Sequence, residues 1–322
     1  MSKQIAKLLL EWYQTSSRPL PWRQNRDPYR VWISEVMLQQ TTVAAVLPYY
    51  ERFLSRFPTV NTLAAAKVES VLELWSGLGY YTRARNLHAA AKEIACSGFP
   101  QSYQKLSLLP GFGPYISRAV SSIAFDEPVA AVDGNLIRVL SRIFGLRAKF
   151  WTTAGRNELQ DVGDEIMKSG SSSVLNQALM DLGSDVCAKQ NPRCNLCPVF
   201  KICIANKKQL QNEIPLSKPR KKSEIWEWNP EIVKNGGKIL LQQNKTLPFL
   251  KNQWLFPGIG KRLAKRPKNF GYKHVIMHYE IFVTPNNTNK KHKFKEPGPK
   301  LRWVKINELP RLSPFSILNK SL

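Results

Sequence analysis

The sequence predicts a larger, mainly α-helical N-terminal domain followed by a smaller α+β domain. Three stretches of different character indicate this division. Residues 1–204 read as helices joined by short loops, residues 205–224 are polar and Lys-rich with interspersed prolines, and residues 225–322 contain short apolar or alternating runs between Gly, Pro and Asn clusters. A length of 322 residues also exceeds one ordinary domain. We therefore expect domains at 1–204 and 225–322, with a linker at 205–224.

Local signals predict individual elements in both domains. Asp27 and Pro28 suit the N-cap and the first position of a helix that runs through Gln40. The same kind of pattern predicts further helices, at 61–75, 83–95, 114–124 and 136–145. Strands are predicted where apolar or alternating residues lie between turn-forming ones, at 238–241, 275–283 and 301–305.

The net charge predicts a polyanionic partner. Lys and Arg number 48 against 23 Asp and Glu, a formal charge of +25, and residues 225–322 carry 19 basic against 5 acidic residues, or +14 of that total. Nucleic acid is the first candidate, although such a charge can also serve solubility. A membrane surface is the rival, but the sequence has no long basic amphipathic helix and no apolar run near the roughly 18 residues of a membrane span.

The N-terminus lacks the pattern of a signal peptide, because the apolar run 5–10 continues directly into Glu11 and Trp12. We therefore expect a soluble, intracellular monomer of the bacterial cytoplasm or nucleoid, with no membrane partner.

Four of the five cysteines, Cys187, Cys194, Cys197 and Cys203, follow the spacing C-x6-C-x2-C-x5-C. Disulfides are uncommon inside cells, so a metal centre is the better interpretation. Zinc sites more often use two C-x2-C pairs, and this segment has one, whereas four soft thiolates also suit a [4Fe–4S] cluster. The spacing favours the cluster without excluding zinc. The fifth cysteine, Cys96, is expected to be a packed core thiol.

A glycine-containing turn joins two helical runs at residues 109–115, LPGFGPY. Gly111 and Gly113 let the backbone turn tightly, and Pro114 then opens the next helix. Backbone N–H groups at such a helix start can hold a DNA phosphate without reading the base sequence. An ordinary helix–turn–helix connection is the alternative.

Two carboxylates are candidates for acid–base chemistry. On a helix, Glu35 has Val31, Trp32 and Leu38 among its neighbours, and desolvation on that apolar stripe should raise its pKa into the range of a general acid. A glutamate reaching to solvent at the edge of the stripe is the alternative. Asp133 follows a buried-looking apolar run and precedes a helix, so it is an N-cap candidate, which is compatible with a firmly positioned catalytic carboxylate.

Six ordered motifs carry a resemblance to a known family. They are PWRQNRDPYRVWISEVMLQQTTV (21–43), GLGYY (77–81), LPGFGPY (109–115), VDGN (132–135), NQALMDLG (176–183) and the four-cysteine segment. Together they resemble the MutY-type adenine DNA glycosylases of the endonuclease III-like helix–hairpin–helix family, over most of residues 11–203. The resemblance implies a helix–hairpin–helix glycosylase fold with a [4Fe–4S] cofactor on the four cysteines.

The resemblance also implies a reaction and a site. The expected substrate is double-stranded DNA with adenine opposite 8-oxoguanine or guanine, from which adenine is removed in base excision repair. Glu35 would protonate adenine, most readily at N7, and Asp133 would stabilise the sugar cation, with Tyr115 and Asn135 beside it. The remaining residues implied to contact DNA or the base are Arg18, Trp22, Arg23 and Gln177 in the adenine pocket, Gln40 and Tyr80 at the duplex, and Gly111 and Gly113 in the hairpin.

Tyr115 occupies the position at which the sister pyrimidine-lesion enzymes carry a Schiff-base lysine. A phenol cannot form an imine with the sugar C1′, so strand cleavage should be absent or weak. A pyrimidine-lesion glycosylase with lyase activity is therefore the disfavoured enzymatic alternative. A DNA-binding protein that has lost catalysis is the other alternative, and the presence of both Glu35 and Asp133 argues against it.

The C-terminal residues 254–258 (WLFPG) and 301–304 (LRWV) resemble the Nudix-like domain that recognises 8-oxoguanine in this family. The glutamate-rich helix of Nudix hydrolases is missing after Gly258, so nucleotide hydrolysis is not expected. The family's Phe-Ser-His recognition loop is replaced by Ile276, Met277 and His278. Only His278 remains as a candidate lesion contact, which puts strict dependence on 8-oxoguanine in doubt.

Overall fold

The computed structural model describes residues 1–219, 221–287, 301–309 and 316–322. The chain forms two compact units, residues 1–218 and 219–322. Residues 205–218, which composition assigns to the linker, are part of the first unit. There Ala205 and Ile214 are buried, and Arg142 Nε donates a 3.0 Å hydrogen bond to the carbonyl oxygen of Ile214. Residues 205–218 therefore have the composition of a linker but pack on the helices of the first unit.

The first unit is helical. Its elements are α1 (Ser2–Ser16), a 3-10 turn (Pro21–Arg23), α2 (Pro28–Leu38), α3 (Val43–Arg56), α4 (Val60–Ala65), α5 (Val68–Leu74), α6 (Tyr81–Ser97), α7 (Tyr103–Leu106), α8 (Pro114–Phe125), α9 (Gly134–Phe144), α10 (Thr153–Met167), α11 (Ser172–Asp181), a π-helical turn (Leu182–Val186), a 3-10 turn (Cys194–Leu196) and α12 (Ile204–Lys207). No helix in the described part of the chain is both long enough and apolar enough to cross a membrane.

Most predicted helix boundaries are confirmed to within a few residues, and the exceptions have local causes. Asp27 caps α2 as expected, with its Oδ1 accepting from the N–H of Tyr29 at 2.9 Å. The helix ends at Leu38 because Gln39 has a non-helical ψ of 115°, and Gln40 then adopts a left-handed φ of 60°. The single helix predicted at 61–75 is wrong. It is interrupted at Ala66, which is extended and accepts a 2.9 Å hydrogen bond from His88 Nε2.

Two apolar clusters form the interior of the first unit. One is built around Trp32, Phe53 and Trp75, and it joins α2 to α8. Phe112, which lies in the turn before α8, stacks on Trp32 with 5.1 Å between the ring centroids. The other joins α1, α9, α10 and α11 around Leu140. Because α2 and α8 share a close-packed core, the side chains that they carry face each other at fixed positions.

The second unit is a β structure whose strands are β1 (Glu224–Ile232), β2 (Lys234–Asn235), β3 (Lys238–Gln243), β4 (Trp254–Leu255), β5 (Gly258–Leu263), β6 (Tyr272–Ile276), β7 (Tyr279–Val283), β8 (Asn286–Asn287) and β9 (Leu301–Lys305), with a short helix at Ser316–Asn319. Within the described residues, one sheet has the order β5-β1-β7-β6, with β8 beside the end of β1. The other has the order β2-β3-β4, with β9 also paired to β3.

The α+β character of the second unit is confirmed, and the strands predicted at 238–241 and 301–305 are present as β3 and β9. The continuous strand predicted at 275–283 is wrong. Antiparallel β6 and β7 meet there in a hairpin, in which Ile276 pairs with Tyr279 and Met277 has a φ of 55°. The turn could not be predicted from the sequence because residues 275–283 contain none of the Gly, Asn or Pro residues that usually mark a turn.

Candidate active site

One cavity in the first unit collects most of the residues that the sequence singles out. It has a volume of about 970 Å³, at the upper end of the range for small-molecule pockets, and so has room for an extruded nucleotide. All four candidate catalytic residues and six of the candidate base-contacting residues line it: Glu35, Tyr115, Asp133 and Asn135, with Arg18, Trp22, Arg23, Gln40, Tyr80 and Gln177. Residues that lie far apart in the chain are therefore brought to one site.

Glu35 is a buried carboxyl, only 6% exposed, on the side of α2 that faces α8. Tyr115 Oη donates a 2.6 Å hydrogen bond to Glu35 Oε2. Burial raises the pKa of Glu35 to about 7, and the negative charge of Asp133 adds to the rise, whereas the Tyr115 hydrogen bond and the Arg23 charge oppose it. The arrangement is that of an acid that is partly protonated at neutral pH, and not of a side chain reaching to solvent.

Tyr115 lies in the first turn of α8, immediately after the hairpin. Its phenol is held inside the protein, and burial together with the negative charges of Glu35 and Asp133 keeps its pKa well above the usual value. The hydroxyl therefore stays neutral and can serve as a hydrogen-bond donor at any ordinary pH.

Asp133 is the N-cap of α9. Its Oδ1 accepts hydrogen bonds from the backbone N–H groups of Asn135 (2.9 Å) and Leu136 (2.8 Å), and its Oδ2 accepts from Asn135 Nδ2 (3.1 Å). Burial raises the pKa of Asp133, while these donors and the nearby charge of Arg138 favour the ionised form. The cap predicted for Asp133 is thus confirmed, and it fixes the carboxylate on the cavity wall.

Asn135 is oriented in turn by Arg138, which sequence reasoning missed. Arg138 Nη2 donates to Asn135 Oδ1 at 2.8 Å, and Arg138 Nε donates to the carbonyl oxygen of Cys187 at 2.7 Å. The signal available in the sequence was the i, i+3 spacing of Asn135 and Arg138 on one helix. This arginine links the cysteine segment to the group that supports Asp133.

Arg18 and Arg23 both bind Asp181, a second residue that sequence reasoning missed. Arg23 Nη1 and Nη2 donate to the two carboxylate oxygens of Asp181 at 2.7 and 2.9 Å, and Arg18 donates to Oδ1 from Nε at 2.9 Å and from Nη2. Burial alone would raise the pKa of Asp181, but the two guanidinium groups hold it below its usual value. An acidic residue inside the apolar run 178–182 was the sequence signal for this role.

The rim of the cavity is supported by Arg83, a third residue that sequence reasoning missed. Arg83 Nη1 donates to the carbonyl oxygens of Val36 and Gln39, at 2.7 Å each, and so caps the C-terminal end of α2 with a cation. The Arg83 guanidinium also lies 5.3 Å from the ring centroid of Tyr80, which is 62% exposed in a left-handed conformation. Gln40 and Tyr80 both line the cavity and are exposed, so they define its rim.

The two hairpin glycines differ in what they require. Gly111 has a φ of +79°, and a Cβ added there would lie 2.8 Å from Asn86 Cβ. Gly113 has an ordinary φ of −73°, serves as the N-cap of α8, and would have no neighbour within 4 Å of an added Cβ. The expectation that both glycines permit the turn is therefore correct for Gly111 alone.

The four clustered cysteines line a second, largely apolar cavity with Val139, Ile143 and Leu182. Two side chains donate to their sulphurs: Arg142 Nη1 to Cys187 Sγ at 3.3 Å, and Gln211 Nε2 to Cys194 Sγ at 3.9 Å. Among the described residues, no group of three or more His, Cys, Asp or Glu is arranged to hold a single metal ion. Cys96, expected to be a core thiol, is exposed instead.

His278, in the second unit, is less available than the sequence suggests. Its ring lies 4.1 Å from that of Tyr279, and its Nε2 lies 3.8 Å from Glu224 Oε1. The neighbouring Met277 is 87% exposed at the turn between β6 and β7. The residue that this turn presents outward is therefore the methionine.

Comparison with known proteins gives the class. Residues 33–161 match the model of the HhH-GPD superfamily base excision DNA repair protein. A solved structure of a thermostable thymine-DNA glycosylase shares 27% identity with a TM-score of 0.58, over 64% of this chain and 97% of the other. A non-covalent endonuclease III–DNA complex shares 25% identity with a TM-score of 0.52, over 66% and 99%. The first unit therefore has the helix–hairpin–helix fold of DNA glycosylases.

A relative in Buchnera aphidicola subsp. Schizaphis graminum, an adenine DNA glycosylase, is 32% identical over 302 residues, which cover 87% of this chain and 86% of the relative. The chain belongs to the adenine DNA glycosylase family.

Proposed function

We propose that this protein is a monofunctional DNA glycosylase that hydrolyses the N-glycosidic bond of adenine mispaired with 8-oxoguanine or guanine. The observation that carries the proposal is the pair of carboxyls, the buried Glu35 and the half-buried Asp133, that line one nucleotide-sized cavity in different environments. Within the described part of the chain, Glu35 has one side-chain hydrogen-bond partner, Tyr115, and favours its protonated form, whereas Asp133 accepts three hydrogen bonds that favour its ionised form. Such a division of environments assigns one carboxyl as the proton donor and the other as the ionised group that stabilises positive charge.

Glu35 supplies the proton. Adenine is a poor leaving group as an anion and a good one after protonation of a ring nitrogen, for which N7 is the natural site. The Tyr115 hydroxyl donates its hydrogen bond to Glu35 Oε2, so the transferable proton of Glu35 is carried by Oε1. A pKa of about 7 keeps a large fraction of the acid form available near neutral pH.

Asp133 stabilises the sugar. Departure of the base leaves a positively charged, oxocarbenium-like C1′, and an ionised carboxylate on the cavity wall lowers the energy of that state or traps it briefly, as in retaining glycosidases. Water then completes the hydrolysis. Asn135, held between Asp133 and Arg138, keeps the carboxylate oriented.

The substrate base must leave the duplex to reach the cavity. Gln40 and Tyr80 on the rim are suited to fill the space that it vacates, and Trp22 and Gln177 line the cavity that receives it. The start of α8 and the overall charge of +25 supply sequence-independent contacts to phosphates.

Strand cleavage is not part of the proposed reaction. The lyase mechanism of related enzymes needs an amine to attack C1′, and the hairpin position next to Glu35 is the phenol Tyr115. The product is therefore an intact strand with an abasic site.

The four cysteines are suited to hold a [4Fe–4S] cluster. Their sulphurs share one apolar cavity, and N–H donors from Arg142, Gln211 and nearby backbone groups are in place to offset the negative charge of bound thiolates. When bound, such a cluster cross-links the segment 187–203 and can carry an electron. Through Arg138, the position of this segment is coupled to Asn135 and Asp133.

The second unit is proposed to be the Nudix-like domain that recognises the base opposite adenine. Support comes from its sequence resemblance and from its +14 formal charge over residues 225–322. The turn that carries Ile276, Met277 and His278 is its candidate reading element, with Met277 as the outermost side chain.

A single assay separates the proposed function from its rivals. A duplex with 8-oxoguanine opposite adenine is incubated with the protein and analysed with and without alkali. Nicking of the adenine strand only after alkali is the expected result. Nicking without alkali would indicate a lyase, and no reaction would indicate a DNA-binding protein without catalytic activity.

A further inference from the structure

Three arginines, Arg18, Arg23 and Arg83, line the cavity that contains Glu35, and the charge of Arg23 works against an acid there. Arg23 is the cation that lowers the pKa of Glu35, and it lies on the 3-10 turn beside α2. A cation within about 4–6 Å of a carboxyl typically lowers its pKa by about 1–3 units. A free Arg23 that turned toward Glu35 would therefore convert the acid to a carboxylate.

Asp181 prevents this geometry. It is 0% exposed at the end of α11, and both terminal nitrogens of Arg23 are engaged on its two oxygens, at 2.7 and 2.9 Å. Arg18 donates to the same carboxylate from Nε at 2.9 Å. A bidentate guanidinium–carboxylate pair of this kind is short, directional and strong, so the two terminal nitrogens of Arg23 are not available to form a similar pair with Glu35.

The other charged and titratable groups around Glu35 do not offset the charge of Arg23. Tyr115 on α8 is neutral, and Asp133 at the start of α9 has Arg138 as its own compensating cation. Arg83 on α6 donates its hydrogen bonds to the carbonyl oxygens of Val36 and Gln39. Arg18 and Arg23 are thus the cations on the cavity wall whose partner is a buried carboxylate, and that partner is Asp181 in both cases.

We infer that Asp181 is a positioning residue for the reaction: it anchors Arg18 and Arg23 on the cavity wall and offsets their charge, so that Glu35 keeps its proton near neutral pH. The inference rests on the proposed role of Glu35 as the acid. It predicts a change in the pH dependence of excision, which a residue that only maintained the fold would not produce.

The test is the single-turnover rate of adenine excision as a function of pH in the full-length Asp181→Asn variant. The amide keeps the shape of the side chain and loses its charge. We expect the decline of the rate at alkaline pH to begin about one pH unit lower than in the unsubstituted protein, so that the rate at pH 8 falls about tenfold while the rate on the acidic plateau changes much less.

Asp185→Asn is the matched control. Asp185 lies one turn further along, 3.9 Å from Arg18 Nε, and is partly exposed, but it makes no bond to Arg23. This variant should leave the pH profile in place. A second variant, Asp181→Asn combined with Arg23→Met, removes both charges and should return the alkaline decline toward its original pH, whatever its plateau rate. Asp181→Glu keeps the negative charge, so its alkaline decline should begin at the same pH as in the unsubstituted protein.

Each outcome decides the inference. A lowered plateau with an unmoved alkaline decline in Asp181→Asn would overturn it and leave Asp181 a structural residue. If Asp181→Asn does not fold, as judged by circular dichroism, the Asp181→Glu variant decides: because it keeps the negative charge, an alkaline decline moved to lower pH in this variant would overturn the inference. Failure of the proposed function is recognised separately, because excision would then persist in Glu35→Gln.

Discussion

Tyr115 Oη and Glu35 Oε2 are joined by a 2.6 Å hydrogen bond that connects α8 to α2 across 80 positions of sequence. The bond is partly buried, and it brings a permanently neutral donor to a carboxyl with a pKa of about 7. The bond stabilises the ionised carboxylate, so the pKa of Glu35 is raised because the effect of burial outweighs that of this bond. The two residues therefore set the fraction of acid that is available at a given pH.

Replacement of Glu35 by glutamine should abolish adenine excision and leave duplex binding nearly unchanged. The amide has the size of the carboxyl and can still accept from Tyr115, but it has no proton to give. General acid catalysis contributes roughly 10²–10⁴-fold, and the single-turnover rate should fall by that amount. A fall of less than about tenfold, with binding unchanged in a gel-shift titration, would contradict the assignment of the acid.

The same substitution should stabilise the folded protein in alkaline solution. Burial raises the pKa of Glu35 from an ordinary value of 4.5 to about 7, so folding favours the protonated form. The stability that this group contributes is complete below about pH 4.5, declines as pH rises toward 7, and is lost above it. Glu35→Gln has no such dependence. Urea unfolding should show little difference between the two proteins at pH 4.5 and a difference of roughly 1–3 kcal/mol in favour of the variant at pH 8.

The acid–base site could be predicted from the sequence where local signals exist. Pro28, Pro114 and Asp133 each mark the start of a helix, and those helices carry Glu35, Tyr115 and the Asp133 cap. The partner of Arg23 could not be predicted in this way, because Asp181 lies 158 positions later and nothing in the local pattern links them.

The β6–β7 turn shows the same limit in the second unit. Residues 275–283 have the composition of one strand, and the turn at Met277 is fixed by the pairing of β7 with β1 rather than by turn-forming residues. Long-range pairing of this kind is absent from short sequence windows, so strand existence was predicted and the hairpin was not.

Substitution of Tyr115 by lysine should create strand-cleaving activity. The position lines the cavity with Glu35 and Asp133, where an amine would be close to the sugar of an extruded nucleotide. The amine can form an imine with C1′, which borohydride reduces to a stable protein–DNA adduct. Gel electrophoresis after borohydride treatment should show the adduct for Tyr115→Lys and none for the matched Tyr115→Phe variant. Absence of the adduct in both would mean that this position does not reach C1′.

The two hairpin glycines form a matched pair for a stability experiment. Gly111→Ala forces a side chain into a φ of +79° and places Cβ 2.8 Å from Asn86 Cβ, so we expect a loss of about 1–3 kcal/mol in the free energy of unfolding. Gly113→Ala meets neither obstacle and should change stability by less than about 1 kcal/mol. Equal losses in the two variants, measured by urea unfolding, would show that the left-handed turn at Gly111 is not the source of the effect.

A protein that ends at Lys218 retains Glu35, Asp133, the four cysteines and both apolar clusters of the first unit, so we expect it to fold and to remove adenine. It should lose the preference for 8-oxoguanine over guanine opposite adenine. The slope of log K against log salt concentration should become shallower by about 0.9 for each DNA phosphate that the shortened protein no longer binds.

Two point variants locate the reading element within the full-length protein. Met277 is 87% exposed at the tip of the turn, whereas His278 packs on Tyr279 and faces Glu224, so Met277→Ala should lower the ratio of excision rates between the two mispairs more than His278→Ala does. Both variants keep the charge of Lys and Arg intact, which separates base reading from phosphate attraction. Excision from the two mispairs is measured at one fixed salt concentration for all four proteins. If the truncated and full-length proteins gave the same ratio, the second unit would act only through its positive charge, and the substitution of the recognition loop would have removed its reading function.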